Sequence, residues 1–278
     1  MKYSLNLKGK IVDLSRSLVM GILNVTPDSF YAGSRKQSEN EIRERAGQII
    51  DEGGQIIDVG AYSTRPGAAA VSENEEMRRL SGALSVLFGN YPDAVVSVDT
   101  FRAGIAERCV REFGVAMIND ISGGEMDSAM FDTVAQLQKP YILTHIKGTP
   151  QNMAQQASTY TDFIKEVFFY FSEKINQLHL LGVNDIIVDL GFGFSKNLEQ
   201  NYQLLHWLPE FHIFNHPLLV GISRKSMIYK LLNITPEESL NATTVLNTYA
   251  LLSGAHILRV HDVKAAVEAV KIVTQILV

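Results

Sequence analysis

Short apolar runs recur along the chain. Each is followed by a polar stretch and then by a segment in which apolar residues return every three or four positions. The runs cover residues 18–23, 55–59, 94–98, 115–118, 140–144, 185–188, 217–220 and 256–260. They are rich in Val and Ile and lack strict alternation, as expected of strands buried on both faces. Helix starts fall between them. Ser38-Glu39-Asn40-Glu41 and Ser72-Glu73-Asn74-Glu75 fit capping boxes, and Thr235-Pro236-Glu237-Glu238 adds a proline at the first helical position. Thr100 and Asp262 also suit caps. Eight β–α units predict a (β/α)8 (TIM) barrel, an α/β fold, as a single domain over residues 1–278. An open doubly wound sheet is the second choice. Residues 1–17 alternate around Lys8-Gly9-Lys10 and predict a short N-terminal hairpin.

A barrel places its chemistry where the strands end. Reading the residue at or just after each run gives Asn24, Asp58, Asp99, Asn119, His145 and Asp189. The last two runs give Ser223 with Arg224 and Lys225, and Arg259 with His261. Wet loops explain some of these, but not three carboxylates, two amides, several cations and two histidines on one rim. Thr64 and Arg65 offer a hydroxyl and a bidentate guanidinium suited to phosphate oxygens, and Arg259 and His261 add donors. An amide oxygen from Asn24 beside them suits a diphosphate with Mg²⁺. Asp189 can accept two parallel hydrogen bonds from a guanidine-like edge, such as a pterin presents.

Charge and composition narrow the partners. Lys and Arg number 25 against 30 Asp and Glu, a net charge of −5, so general nucleic-acid binding is not expected. No apolar run reaches about 18 residues and no signal-peptide core follows the start, so a soluble, cytoplasmic protein without membrane partners is expected. The single cysteine, Cys109, excludes an intramolecular disulfide and reads as a small buried apolar residue. Gly191-Phe192-Gly193-Phe194 is not a dinucleotide fingerprint, because Lys196 stands where the third glycine belongs. His179, His206, His212 and His216 lack metal-ligand spacing, and His256 reads as a hydrogen-bonded interior residue. His145 fits either a site wall or a structural support.

Seven segments carry a resemblance. MGILNVTPDSF, DVGAYSTRPGA, SVDT, INDISGG, DLGFGFSK, GISRKSMI and RVHDV run in order from Met20 to Val263 and resemble the motif series of the dihydropteroate synthase family. That family condenses 6-hydroxymethyl-7,8-dihydropterin diphosphate with 4-aminobenzoate in folate synthesis. It does so on a (β/α)8 barrel with Mg²⁺, usually as a homodimer. The resemblance implies that Asp99, Asn119, Asp189 and Lys225 hold the pterin, with Phe194 beside it. It implies Asn24 for the metal, and Thr64, Arg65, Arg259 and His261 for the diphosphate. Ser223, Arg224 and Lys225 would border the aminobenzoate, with Asp99, Lys225 and Arg65 carrying the chemistry. The loops holding Asp28-Ser29-Phe30 and Thr64-Arg65-Pro66 would close over the reactants. A family member would also be a sulfonamide target.

The chain departs from the family at several points. Ala61-Tyr62 replaces Gly-Glu, and His145-Ile146-Lys147-Gly148 replaces His-Met-Gln-Gly. Leu190 stands where Pro is common, and residues 31–36 lack the usual acidic, Gly-rich form. Two other readings compete. A methyltetrahydrofolate-dependent methyltransferase shares a pterin-binding barrel but needs no diphosphate site, so Arg65, Arg259, His261 and Ser223-Arg224-Lys225 oppose it. A non-catalytic pterin-binding paralogue would show degraded loops, whereas Asn24, Thr64-Arg65-Pro66 and Lys225 are intact. The last helix has two apolar stripes. Val263, Val267, Val270 and Leu277 form one; Ala265, Ala269, Ile272 and Ile276 form the other. One should face the barrel, and the second suits self-association.

Overall fold

A computed structural model describes residues 3–25, 35–62 and 71–277. Its first element is a hairpin of β1 (Ser4–Leu7) and β2 (Lys10–Asp13). Lys8 and Gly9 both take positive φ, 53° and 79°, as a two-residue turn between twisted strands requires. Eight parallel strands follow: β3 (Leu18–Asn24), β4 (Ile56–Gly60), β5 (Val96–Asp99), β6 (Met117–Asp120), β7 (Tyr141–Thr144), β8 (Ile186–Asp189), β9 (Leu218–Val220) and β10 (Ile257–Val260). They close into a barrel in the order β10-β3-β4-β5-β6-β7-β8-β9. Every strand expected from an apolar run is present, and a closed barrel replaces the open-sheet alternative.

Helices follow the barrel strands: α1 (Arg35–Asp51), α2 (Glu73–Asn90), α3 (Ala103–Phe113), α4 (Met130–Leu137), α5 (Met153–Gln156), α6 (Phe163–Leu180), α7 (Leu198–His206), α8 (Ser226–Leu232), α9 (Leu240–Leu252) and α10 (Val263–Ile276). Ser72 caps α2 by accepting from the Glu75 N–H at 3.3 Å. Thr235 and Glu238 bond each other reciprocally before α9. The box expected at Ser38 is not a cap, because α1 already begins at Arg35. Asp262 precedes α10 but turns its carboxylate to Arg224. In α10 the inward face is Val263, Ala266, Ala269, Val270 and Val273, while Ile272 and Ile276 are exposed. The buried stripe thus draws on both expected sets.

The strands' two faces serve two cores. One face packs on the helices. The other fills the barrel's lower half with Met20, Ile56, Met117, Ile142, Ile187, Leu219 and Ile257. Leu5, Leu7 and Leu14 of the hairpin segment close that end. The hairpin is tied down by the Lys8 ammonium, which donates to Pro92 O at 2.8 Å, and by Asn6 N, which donates to Asp185 Oδ2 at 3.2 Å.

Candidate active site at the barrel mouth

Side chains two positions apart on a strand share a face. Above the apolar plug this rule lifts a polar layer: Asp58 follows Ile56, Asn119 follows Met117, Thr144 follows Ile142, Asp189 follows Ile187 and Arg259 follows Ile257. Asp99 stands in register with both Gly60 and Asn119.

Arg259 organises one side of this mouth. Its Nε donates to Asp58 Oδ2 at 2.7 Å and its Nη2 to Asp99 Oδ2 at 2.8 Å. Asn119 Nδ2 donates to the same Asp58 oxygen at 3.0 Å. Asp58 is fully buried, and its Oδ1 has no hydrogen-bond partner among the described residues. Burial pushes Asp99 up to about 7, although Arg259 works against it, and the charge of Asp58 adds to the rise. Burial would lower the Arg259 guanidinium, but Asp58 and Asp99 outweigh it and hold it raised.

Asp189 and Lys225 form a second group. Asp189 Oδ1 accepts from Gly191 N at 2.8 Å, and burial raises its pKa against the pull of Lys225. The Lys225 ammonium donates to Phe192 O and stands 4.7 Å from the centre of the Phe194 ring. Burial lowers Lys225 to about 8, opposed by Asp189.

The third group lies toward α10. Ser223 Oγ accepts from His261 N at 3.1 Å and faces His261 Nδ1 at 3.1 Å. Burial, then the nearby Arg259, holds His261 down to about 4, so it is neutral near pH 7. Arg224, expected to border the second substrate, forms two bonds to Asp262, at 2.9 and 2.7 Å. The adjacency of Arg224 to Ser223 in sequence concealed this, because Arg224 has φ of +54° and its turn directs it toward α10.

Asn24 ends β3 and is exposed. A Cβ on Gly60 would sit 3.5 Å from Asp99 Oδ2 and 3.6 Å from Asn24 Oδ1, so both oxygens border a space that glycine leaves open. No group of three or more His, Cys, Asp or Glu side chains suited to a metal occurs among the described residues. An amide oxygen and a carboxylate oxygen facing one open space suit Mg²⁺, which keeps several waters and is held by few protein oxygens together with substrate phosphates. Thr64 and Arg65 lie outside the described residues, as do Asp28, Ser29 and Phe30.

Other residues singled out in the sequence find structural places. His145 is buried, with Nδ1 2.9 Å from the ammonium of Lys196, which makes it a support. Lys147 Nζ bonds Glu166 Oε2 at 2.9 Å and lies 4.3 Å from the centre of the Tyr160 ring. Tyr62 packs edge-on against Phe101 and accepts from Gln151 Nε2 at 3.1 Å. His256 accepts from Leu218 N through Nδ1. In sequence Asp58 stands out only as a strand-end carboxylate without a role, and Lys196 only as the residue in place of a third glycine. The signal for Asp58 was its two-residue offset from Ile56. Lys196 carried no comparable signal, because sequence does not distinguish a buried lysine from a solvated one.

Residues 20–261 match the model of the family described as pterin binding enzyme. A dihydropteroate synthase of Escherichia coli is 43% identical over 268 residues, which cover 96% of this chain and 94% of that one. The Yersinia pestis dihydropteroate synthase, solved as a sulfonamide drug complex, superposes with a TM-score of 0.89 at 39% identity, covering 99% of each chain. The Xanthomonas albilineans dihydropteroate synthase, solved with 4-aminobenzoic acid, superposes with a TM-score of 0.90 at 34% identity, covering 100% of this chain and 99% of that one. With the barrel, the polar mouth and these likenesses together, the chain belongs to the pterin-binding enzymes and, among them, to the dihydropteroate synthases.

Proposed function

We infer that the protein joins 6-hydroxymethyl-7,8-dihydropterin diphosphate to 4-aminobenzoate, giving 7,8-dihydropteroate and diphosphate for folate biosynthesis. The observation that carries this reading is Arg259 held between Asp58 and Asp99 beside Asn119, across from Asp189 and Lys225. Buried carboxylates and an amide supply acceptors and donors for the pterin's polar edges. A fixed guanidinium and a neutral imidazole supply donors where the diphosphate departs. A methyl-transfer barrel has no need of that second set.

The reaction breaks the C–O bond at the pterin methylene, and the electron pair leaves with diphosphate. The amine nitrogen forms a bond to that carbon and releases one proton. Positive charge develops on the pterin as the bond breaks. Asp99, held against Arg259, is placed to stabilise it, since fixed charge in a buried site needs little reorganisation. Asn119 and Asp189 orient the ring, and Lys225 with Phe194 flanks it. An arylamine is already neutral near pH 7, so no strong base is required. Exclusion of water from the developing cation matters more. Thr64, Arg65, Arg259 and His261 are assigned to the diphosphate, Ser223 to the aminobenzoate border, and Arg224 to holding that border through Asp262.

Asn24 would hold Mg²⁺, whose charge would stabilise the leaving diphosphate when bound. The neighbouring helices α9 and α10 leave Val245, Tyr249, Ile272 and Ile276 exposed, which favours a second copy of the chain as the covering partner in a homodimer. The aminobenzoate border is also proposed as a sulfonamide site. No helix among the described residues is long and apolar enough to cross a membrane.

The test is diphosphate release from the dihydropterin diphosphate, with and without 4-aminobenzoate and Mg²⁺. Mg²⁺-dependent release coupled to dihydropteroate formation is expected. A pterin that binds without any release would instead mark a non-catalytic paralogue.

A further inference from the structure

Lys196 is a buried cation that the proposed chemistry does not use. It ends the loop between β8 and α7, and only 8% of it is exposed. Its ammonium turns back into its own loop. It donates to Gly191 O at 2.9 Å and to Phe194 O at 3.0 Å, approaches His145 Nδ1 at 2.9 Å, and reaches His145 O at 3.4 Å. Four acceptors around three protons leave nothing of this side chain for a substrate. Burial lowers both Lys196 and His145 well below their ordinary values. Keeping such a group inside a protein is costly unless its hydrogen bonds are complete.

The loop so held is one that would not hold itself. Gly191 and Gly193 adopt φ of +66° and +82°, and Ser195 +47°. Glycine-rich backbone has the most conformational freedom to lose. The path is also tight, since a Cβ on Gly191 would lie 2.0 Å from His145 O. Every pterin contact proposed on this side hangs from the same few atoms. Gly191 N anchors Asp189, Phe192 O anchors the Lys225 ammonium, and Phe194 provides the ring beside it. The carbonyls that Lys196 grips belong to Gly191 and Phe194, the first and last residues of that stretch. His145, at the end of β7, ties the assembly to the neighbouring strand.

We propose that Lys196 is a positioning residue for the pterin subsite: its ammonium sets the β8–α7 loop and thereby places Asp189, Phe194 and Lys225, without touching either substrate. The proposal rests on the assignment of those three residues to the pterin. It separates the two substrates, because Ser223 and His261 bond each other rather than this loop, and of the residues Lys196 places Lys225 alone borders both.

The experiment is calorimetric titration of the full chain with 6-hydroxymethylpterin, together with steady-state kinetics. Lys196→Met keeps the length and the apolar stem but removes the donors. It is expected to weaken pterin affinity, and raise KM for the pterin diphosphate, by about tenfold or more, as misplacement of positioning groups does. KM for 4-aminobenzoate at saturating pterin should stay within about twofold. A lysine that only held the fold together would lower the melting temperature and the active fraction while leaving both constants unchanged, and that result overturns the proposal. His145 supplies a gentler pair should Lys196→Met not fold. His145→Asn keeps an oxygen near the Nδ1 position and should bind pterin like the wild type, whereas His145→Leu should bind it more weakly. Equal affinity in those two variants overturns the proposal. Asp189→Ala in the same titration reports on the assignment itself. Unchanged affinity there overturns the placement of the subsite, and with it the proposal. Weakened affinity there, with Lys196→Met like the wild type, overturns the proposal alone.

Discussion

The same strands build two opposite environments inside the barrel, one directly above the other. At the lower end Ile56, Met117, Ile142, Ile187 and Ile257 pack on Leu5 and Leu7 of the hairpin, which close the barrel from below. Two residues further along, the same five strands present Asp58, Asn119, Thr144, Asp189 and Arg259. Apolar burial at one end stabilises the fold, and charge burial at the other works against it. Burial is the largest influence on Asp99, Asp189 and Lys225, and in each it disfavours the charged form. The plug therefore supports a mouth that is unfavourable for stability and useful for chemistry. Changes in the two layers should separate the two properties.

The largest effect on stability should come from below. Ile187→Ala removes a fully buried side chain from the plug and should cost about 2–5 kcal/mol in chemical denaturation. The surviving folded enzyme should keep its KM values. Asp99→Asn is the mirror image. It should lower turnover by at least ~100-fold, about 2.7 kcal/mol of barrier, while pterin diphosphate binding stays within about tenfold. Its effect on folding should have the opposite sign. A carboxyl group pushed up to about 7 binds more protons folded than unfolded, so wild-type stability falls as pH rises through the window from about 4 to 7. An amide does not ionise, so Asp99→Asn should melt at or above the wild-type temperature at pH 8. Unchanged turnover would remove Asp99 from the mechanism. A strong loss of stability at pH 8 would break the contrast between the layers.

The pH profile gives a graded version of the same contrast. On the acid side, protonation of Asp99 below about 7 should reduce kcat/KM for the pterin diphosphate by up to tenfold per pH unit. On the alkaline side, loss of the Lys225 proton above about 8 should reduce it again. The profile should be a narrow bell after the substrate's own ionisation is subtracted. Asp99→Asn should flatten the acid limb and leave the alkaline one. His261, held to about 4, should contribute no limb between pH 6 and 9.

The fold was legible because its signal is periodic. Strands buried on both faces read as apolar runs, and a Lys8-Gly9 turn between alternating segments reads as a hairpin. Asp99, Asn119, Asp189, Arg259 and His261 were legible for a related reason: a polar residue where an apolar run stops marks the mouth of a barrel. Less was legible where partners come from distant elements. Arg224 is adjacent in sequence to Ser223, yet its bonds go to Asp262, 38 positions away. Lys196 resembles a loop lysine until His145, just past the end of β7, is placed beside it. Alternation within a strand separates the charged layer from the apolar one, but burial on both faces hid that alternation around Asp58.

The smallest effect should come from a charge outside both layers. Lys147 replaces the glutamine usual in the family, and an added cation so close to the mouth could alter the second substrate's pocket. The structure directs it elsewhere. Its ammonium bonds Glu166 Oε2 at 2.9 Å and Thr159 O at 3.3 Å, while its backbone N–H donates to Ser195 Oγ at 2.8 Å. Both side chains of the ion pair are about one-third exposed, at 33% and 36%, so solvent screens much of their attraction. Glu166 also accepts from the Thr161 N–H at 2.7 Å through its other oxygen, a bond that does not involve Lys147. Lys147→Gln should therefore cost at most about 1 kcal/mol of stability, and less at high salt. KM for 4-aminobenzoate and for the pterin diphosphate should not move. A shift in the aminobenzoate constant alone would show that Lys147 leaves Glu166 when substrates bind and that the charge reaches the mouth.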